Sequence, residues 1–148
     1  MSEHTAKIDW TLGDAEFTYE GYSRAHTWRF RGAVEVPASS APDFGGNPER
    51  VDPEEGLVAS VSSCHMLTLL AIAAKKRMHL TAYSDRPVGY LEKNEEGRLA
   101  VTRIVLHPTL TFAGERPSAE VLERLHESAH RNCFIANSIK AEVVVEEA

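Results

Sequence analysis

The chain has 148 residues, 43% hydrophobic and 26% charged, the size and make-up of one soluble globular domain. Its net charge of −6 argues against a nucleic-acid surface, which needs a concentrated excess of Lys and Arg; only Lys75, Lys76 and Arg77 run together. The first ten residues are polar and carry Glu3, Lys7 and Asp9, unlike the apolar core of a secretory signal, so a cytoplasmic protein is expected.

The first 36 residues read as strands. Ile8, Trp10 and Leu12 alternate with polar neighbours, and Trp28 and Phe30 do so between Thr27, Arg29 and Arg31, the period of a half-buried strand. Residues 37–50, rich in Pro, Gly, Ser and Asn, predict an irregular loop. A helix then starts sharply. Asp52 suits the N-cap, Pro53 the first turn, and Glu55 stands three residues on, as in a capping box.

That helix runs to about Lys76 and contains 18 uncharged residues, Leu57 to Ala74, long enough to raise the question of a membrane span. Ser60, Ser62, Ser63, His65 and Thr68 interrupt it around Cys64, and polar groups there are costly in lipid. The expectation is a core helix and no membrane. Being apolar nearly all round, it should be covered on most sides, by a second helix, a partner subunit or both.

Residues 83–92 and 99–112 predict two strands around the turn Asn94-Glu95-Glu96-Gly97. A second helix is expected over residues 118–132. Its core face is Leu122, Leu125 and Ala129, with Cys133 on the same line at 3.6 residues per turn. Ile139, Ala141, Val143 and Val145 alternate with Lys140, Glu142 and Val144 and predict a closing strand. Strands, helix, strands, helix and strand make a single α+β domain over residues 1–148.

The chain has two cysteines. Without a signal segment such a pair is redox-active, metal-binding or simply buried. If the helices pack side by side, Cys64 and Cys133 reach disulfide range, with Cα atoms about 4.4 to 6.8 Å apart. The bland alternative is two thiols acting as small hydrophobes.

Two motifs narrow the choice. Asp52-Pro53-Glu54-Glu55, then Leu57, Ala59 and Ser63-Cys64, forms the first. Ala129-His130-Arg131-Asn132-Cys133, then Ser138, Lys140, Ala141 and Glu142, forms the second. In this order the two resemble the OsmC/Ohr family, the osmotically inducible protein C and organic hydroperoxide resistance proteins, over nearly the whole chain. Many members carry Pro directly after the second cysteine, where this chain has Phe134, which suggests a separate branch.

The resemblance implies an OsmC-like fold, antiparallel sheets packed with two main helices in an intertwined homodimer, and a thiol peroxidase needing no metal or organic cofactor. Cys64 would attack an organic hydroperoxide and pass through a sulfenic acid. Cys133 would resolve it as a disulfide, and an external dithiol, of lipoyl type in the family, would restore the pair. Burial in an apolar helix raises a thiol pKa, so a cation is expected near Cys64. The family's arginine matches Arg24, with Arg29 and Arg31 as rivals, and the glutamate that orients it matches Glu54. Glu54 lies ten residues before Cys64, about 15 Å along one helix. It would therefore act through a long arginine or from a partner subunit.

Three other readings stay open. His126 and His130 share a helix face with Cys133, and Cys64 would complete a four-ligand zinc site. Cys64 with a histidine base would make a non-redox nucleophile, although nothing in the sequence marks that base. An inactive OsmC-like binding or scaffold protein is the third.

Overall fold

The alternation around Trp28 builds a three-stranded antiparallel sheet, β1 (Lys7–Asp9), β2 (His26–Arg29) and β3 (Glu35–Ala38), in the order β1-β2-β3. Ile8 and Val36 flank Trp28 in register. Pro37, which has no N–H to give, is tolerated because β3 is an edge strand. The first strand stops short of the expected Leu12, because Trp10 turns away and its indole donates to the Ser23 carbonyl at 2.7 Å. The computed structural model describes residues 1–148. They divide into two units, Met1–Gly56 and Leu57–Ala148, and this sheet belongs to the first. Between β3 and the first helix the chain is irregular, as expected, apart from one 3-10 turn at Pro42–Phe44.

Helix α1 spans Pro53–Lys75. Asp52 caps it as the sequence predicts: its Oδ1 accepts the Glu55 N–H at 2.8 Å and its carbonyl the Gly56 N–H at 3.0 Å, satisfying donors that open a helix. The expected cover on most sides is not found within one chain. Only Val61, His65, Leu69 and Ala73, one stripe at i, i+4 spacing, are buried. Ala59, Ser63, Leu67 and Ala71 form an exposed stripe, with Leu67 60% exposed. By length and composition alone α1 could cross a membrane, with 28% of its most apolar window buried in the chain.

The second unit carries the remaining strands: β4 (Leu80–Ser84), β5 (Val88–Lys93), β6 (Leu99–Leu106), β7 (Thr109–Phe112) and β8 (Glu142–Val145). Two long strands were expected where four are found. Pro87 and Pro108 fall in the breaks, where no N–H is available for a ladder. β4 pairs with β7, while β5, β6 and β8 form a second sheet. In that sheet β6 and β8 run parallel, a pairing that needs a long crossover, here β7 and helix α2 (Ala119–Asn132). Ser118 caps α2, its hydroxyl accepting the Val121 N–H at 3.3 Å.

Two apolar clusters hold this unit. One gathers Leu69, Ala73, Leu110, Leu122, Leu125 and Ala129; the other gathers Val61, Ile104 and Leu106. Gly89 on β5 allows the close approach of α1, since a Cβ there would stand 2.4 Å from Val58 Cγ2.

Candidate active site

Cys64 lies midway along α1, half-buried, and Cys133 is fully buried as the C-cap of α2. After Cys133 the chain leaves the helix in extended conformation (φ −73°, ψ 112°) and curls into a tight turn. The Asn137 N–H returns to the Cys133 carbonyl at 3.1 Å, and the Ala136 N–H reaches the Cys133 sulfur at 3.4 Å. The turn brings Phe134 and Ile135 over Cys64, closing a pocket of about 340 Å³ floored by Ser60, Ser63 and Thr68. Its rim is apolar: Phe134 is 79% and Leu67 60% exposed.

The two thiols titrate in opposite directions. Burial resists ionisation of Cys64. The Ile135 backbone, the Cys133 thiol and the Phe134 backbone around it nevertheless favour the thiolate and hold its pKa below the ordinary thiol value. The Thr68 hydroxyl adds a smaller share, since it donates to the Cys64 carbonyl at 2.8 Å. Burial pushes Cys133 up, and the neighbouring Cys64 adds to that. Cys64 therefore ionises first while Cys133 keeps its proton, an ordered pair of nucleophile and reserve thiol.

The residues expected to act on the thiolate sit in the first unit. Arg24 donates from Nη1 to the Tyr22 carbonyl and from Nη2 to the Tyr19 carbonyl, each at 2.7 Å. Its guanidinium packs 4.0 Å from the centre of the Tyr22 ring. Arg24 also lines an aromatic pocket of about 470 Å³ with Trp10, Phe17 and Tyr22. His26 braces the turn: its Nδ1 stands 2.8 Å from the Arg24 carbonyl and its Nε2 accepts the Trp28 indole N–H at 3.1 Å. Glu54, in the first turn of α1, forms no ion pair with Arg24. Of the rivals, Arg29 is paired with Asp9 and Glu35, and Arg31 lies exposed in a turn.

The four-ligand zinc site of Cys64, Cys133, His126 and His130 is not assembled, because no three His, Cys, Asp or Glu side chains come together in ligating positions. His126 and His130 instead line a separate cleft with Arg116 and Glu147. His126 is also buried, only 6% exposed. It stacks on His65 with ring centres 5.4 Å apart and planes within 5°. Burial first, then the facing His126 and His130, lower the His65 pKa to about 4. Sequence spacing gave no sign of this pair, whose members are 61 residues apart. Nor did it show the Phe134 and Ile135 amides, since backbone donors carry no residue signature.

The fold has counterparts among known proteins. Residues 45–148 match the family model described as OsmC-like protein. The structure resembles an OsmC-like protein of unknown function from Vibrio cholerae O1 biovar eltor at TM-score 0.94 and 48% identity, covering 100% of both chains. At 18% identity it shares the fold of the organic hydroperoxide resistance protein OsmC of Legionella pneumophila, with TM-score 0.69 and 99% and 97% of the two chains covered. OhrB of Bacillus subtilis, an organic hydroperoxide resistance protein, matches at TM-score 0.68 and 18% identity, with 97% and 98% covered. No curated protein matches the chain significantly.

Proposed function

Since the chain belongs to the family of OsmC-like proteins, we propose that it reduces organic hydroperoxides through Cys64 and Cys133. The observation that carries this reading is the polarised pair: neighbouring thiols with Cys64 held below, and Cys133 above, the ordinary thiol pKa. In the first step the Cys64 thiolate attacks the distal peroxide oxygen. The O–O bond breaks, the alkoxide takes a proton and leaves as an alcohol, and Cys64 becomes a sulfenic acid. Cys133 then attacks that sulfur, releasing water and closing a Cys64–Cys133 disulfide. A dithiol of lipoyl type restores both thiols by exchange.

Arg24 polarises the peroxide in this scheme and Glu54 orients it, so the two carbonyl bonds that now hold the guanidinium must be exchanged. The apolar rim of Leu67 and Phe134 favours organic peroxides over hydrogen peroxide. The reaction belongs in the cytoplasm and needs no metal or organic cofactor. The active form is a homodimer, and the uncovered stripe Ala59, Ser63, Leu67 and Ala71 is its contact, since an apolar helix face left in water invites a partner.

Free thiols counted before and after one equivalent of tert-butyl hydroperoxide test the chemistry. Loss of two per chain, with Cys64 joined to Cys133 by mass spectrometry, is expected. Two thiols surviving prompt treatment would leave an inactive scaffold as the better reading.

A further inference from the structure

The peroxide scheme leaves unused a second cleft of about 680 Å³, lined by α2 and β8 and walled by Leu122, Val143, Arg116, His126, His130 and Glu147. Deep in it His126 is 6% exposed, and its Nε2 is buried without a hydrogen bond. Glu147 Oε2 stands 3.4 Å from it. A charge-assisted N–H···O⁻ bond closes to about 2.7 to 2.9 Å, so this ion-pair contact is longer than such a bond. Two donors bound to one tetrahedral zinc at about 2.1 Å each stand about 3.4 Å from one another. The two side chains are spaced as neighbouring ligands of one ion.

What lies behind each donor fits the same reading. The Nδ1 of His126 meets Nε2 of His65 at 3.1 Å. If Nδ1 carries the proton and donates it to His65, the His126 Nε2 lone pair is directed into the cleft, the arrangement that fixes metal-binding histidines. Arg116 donates from Nη2 to the other Glu147 oxygen and from Nη1 to the Leu110 carbonyl at 2.8 Å, so the carboxylate is held as well. His130 follows His126 by one helical turn in a His-Glu-x-x-His run, a spacing that sets two imidazoles on one helix face. It is exposed on the same cleft wall. Glu123 and Glu127 add negative charge at the rim, which raises the local concentration of cations.

We infer that His126, Glu147 and His130 form a binding site for a divalent cation of the zinc class, with its remaining coordination positions open to the cleft. His126 and Glu147 are set in place. His130 must turn inward, since no third ligand stands in position beforehand.

The test uses tag-free protein with both Cys64→Ser and Cys133→Ser, so that no thiol can hold the metal and the outcome is independent of peroxide chemistry. Zn²⁺ alone is titrated against a chromophoric chelator. One equivalent per chain is expected to bind, and Glu147→Gln and His130→Ala should each weaken it at least tenfold while the circular dichroism spectrum is unchanged. These positions are chosen because His126→Ala empties a core site and risks unfolding. His65→Gln, behind the ligand, should weaken binding about tenfold. No stoichiometric binding, or binding that survives either Glu147→Gln or His130→Ala unchanged, overturns the site.

Discussion

Phe134→Pro isolates the backbone as the source of Cys64 acidity. The substitution deletes the Phe134 N–H, one of the backbone groups that lower the Cys64 pKa. The preceding residue already holds ψ at 112°, close to the extended range of about 120 to 160° that a following proline favours. Little packing is lost, because Phe134 is 79% exposed. A hydrogen bond to a charged group contributes about 1.5 to 3 kcal/mol. With Cys64 half-buried and the other donors intact, the lower end applies, equivalent to about tenfold less thiolate on the acid side of its titration. The assay is the rate of iodoacetamide alkylation against pH in a Cys133→Ser background. Phe134→Pro should reach the same alkaline plateau but run about tenfold slower near neutrality, while Phe134→Ala, which keeps the amide, should track the parent. Superimposable Phe134→Pro and parent profiles would refute the amide account.

Cys133→Ser alone should still reduce the first equivalent of peroxide but stop at a sulfenic acid that dimedone captures; capture at the same level in the parent would argue against a resolving role. Leu69, wholly buried in the larger cluster, should lose about 3 kcal/mol on truncation to Ala, as transfer and cavity costs add, read from urea midpoints at constant m-value. Acid should weaken the metal-free fold in a defined window. His65 has its pKa lowered to about 4 by burial and the facing imidazoles, against about 6.5 unfolded. The native state binds fewer protons, so this contribution is whole above about pH 6.5 and falls by about 3 kcal/mol towards pH 4. Urea midpoints that stay level from about pH 7 to 4.5 would contradict it.

Much of the fold was legible because local chemistry dictated it. Asp52 and Ser118 announce their helices by capping, and Leu122, Leu125, Ala129 and Cys133 follow the helical period and are all buried. What escaped was non-local. A tract rich in β-formers does not show that Pro87 and Pro108 divide it, unless their missing N–H groups outweigh the strand signal. The parallel pairing of β6 with β8 spans a helix and leaves no trace in either strand. The cysteines could be picked out by motif, but the backbone of the turn that the second cysteine begins, which also lowers the Cys64 pKa, leaves no residue signature. On the same helix Glu123 and Glu127 are exposed while the His126 imidazole is buried, a split set by packing against His65 on α1.

The stacked imidazoles have a consequence for how α1 is indexed. His65 falls between Val61, in one apolar cluster, and Leu69, in the other, so the interior is two oily compartments with a polar seam between them. A helix apolar on every side has little in its own pattern to choose a rotation or an axial position. Along the buried stripe, sliding by one turn, about 5.4 Å, would exchange one aliphatic residue for another everywhere but at His65. At the seam it would set an aliphatic residue against His126 and strand His65 among leucines, at the cost of a buried polar group without a partner. The histidine pair thus acts as a detent, with the Ser62 hydroxyl donating to Asp85 as a second one, and it sets the height at which Cys64 meets the turn beyond α2.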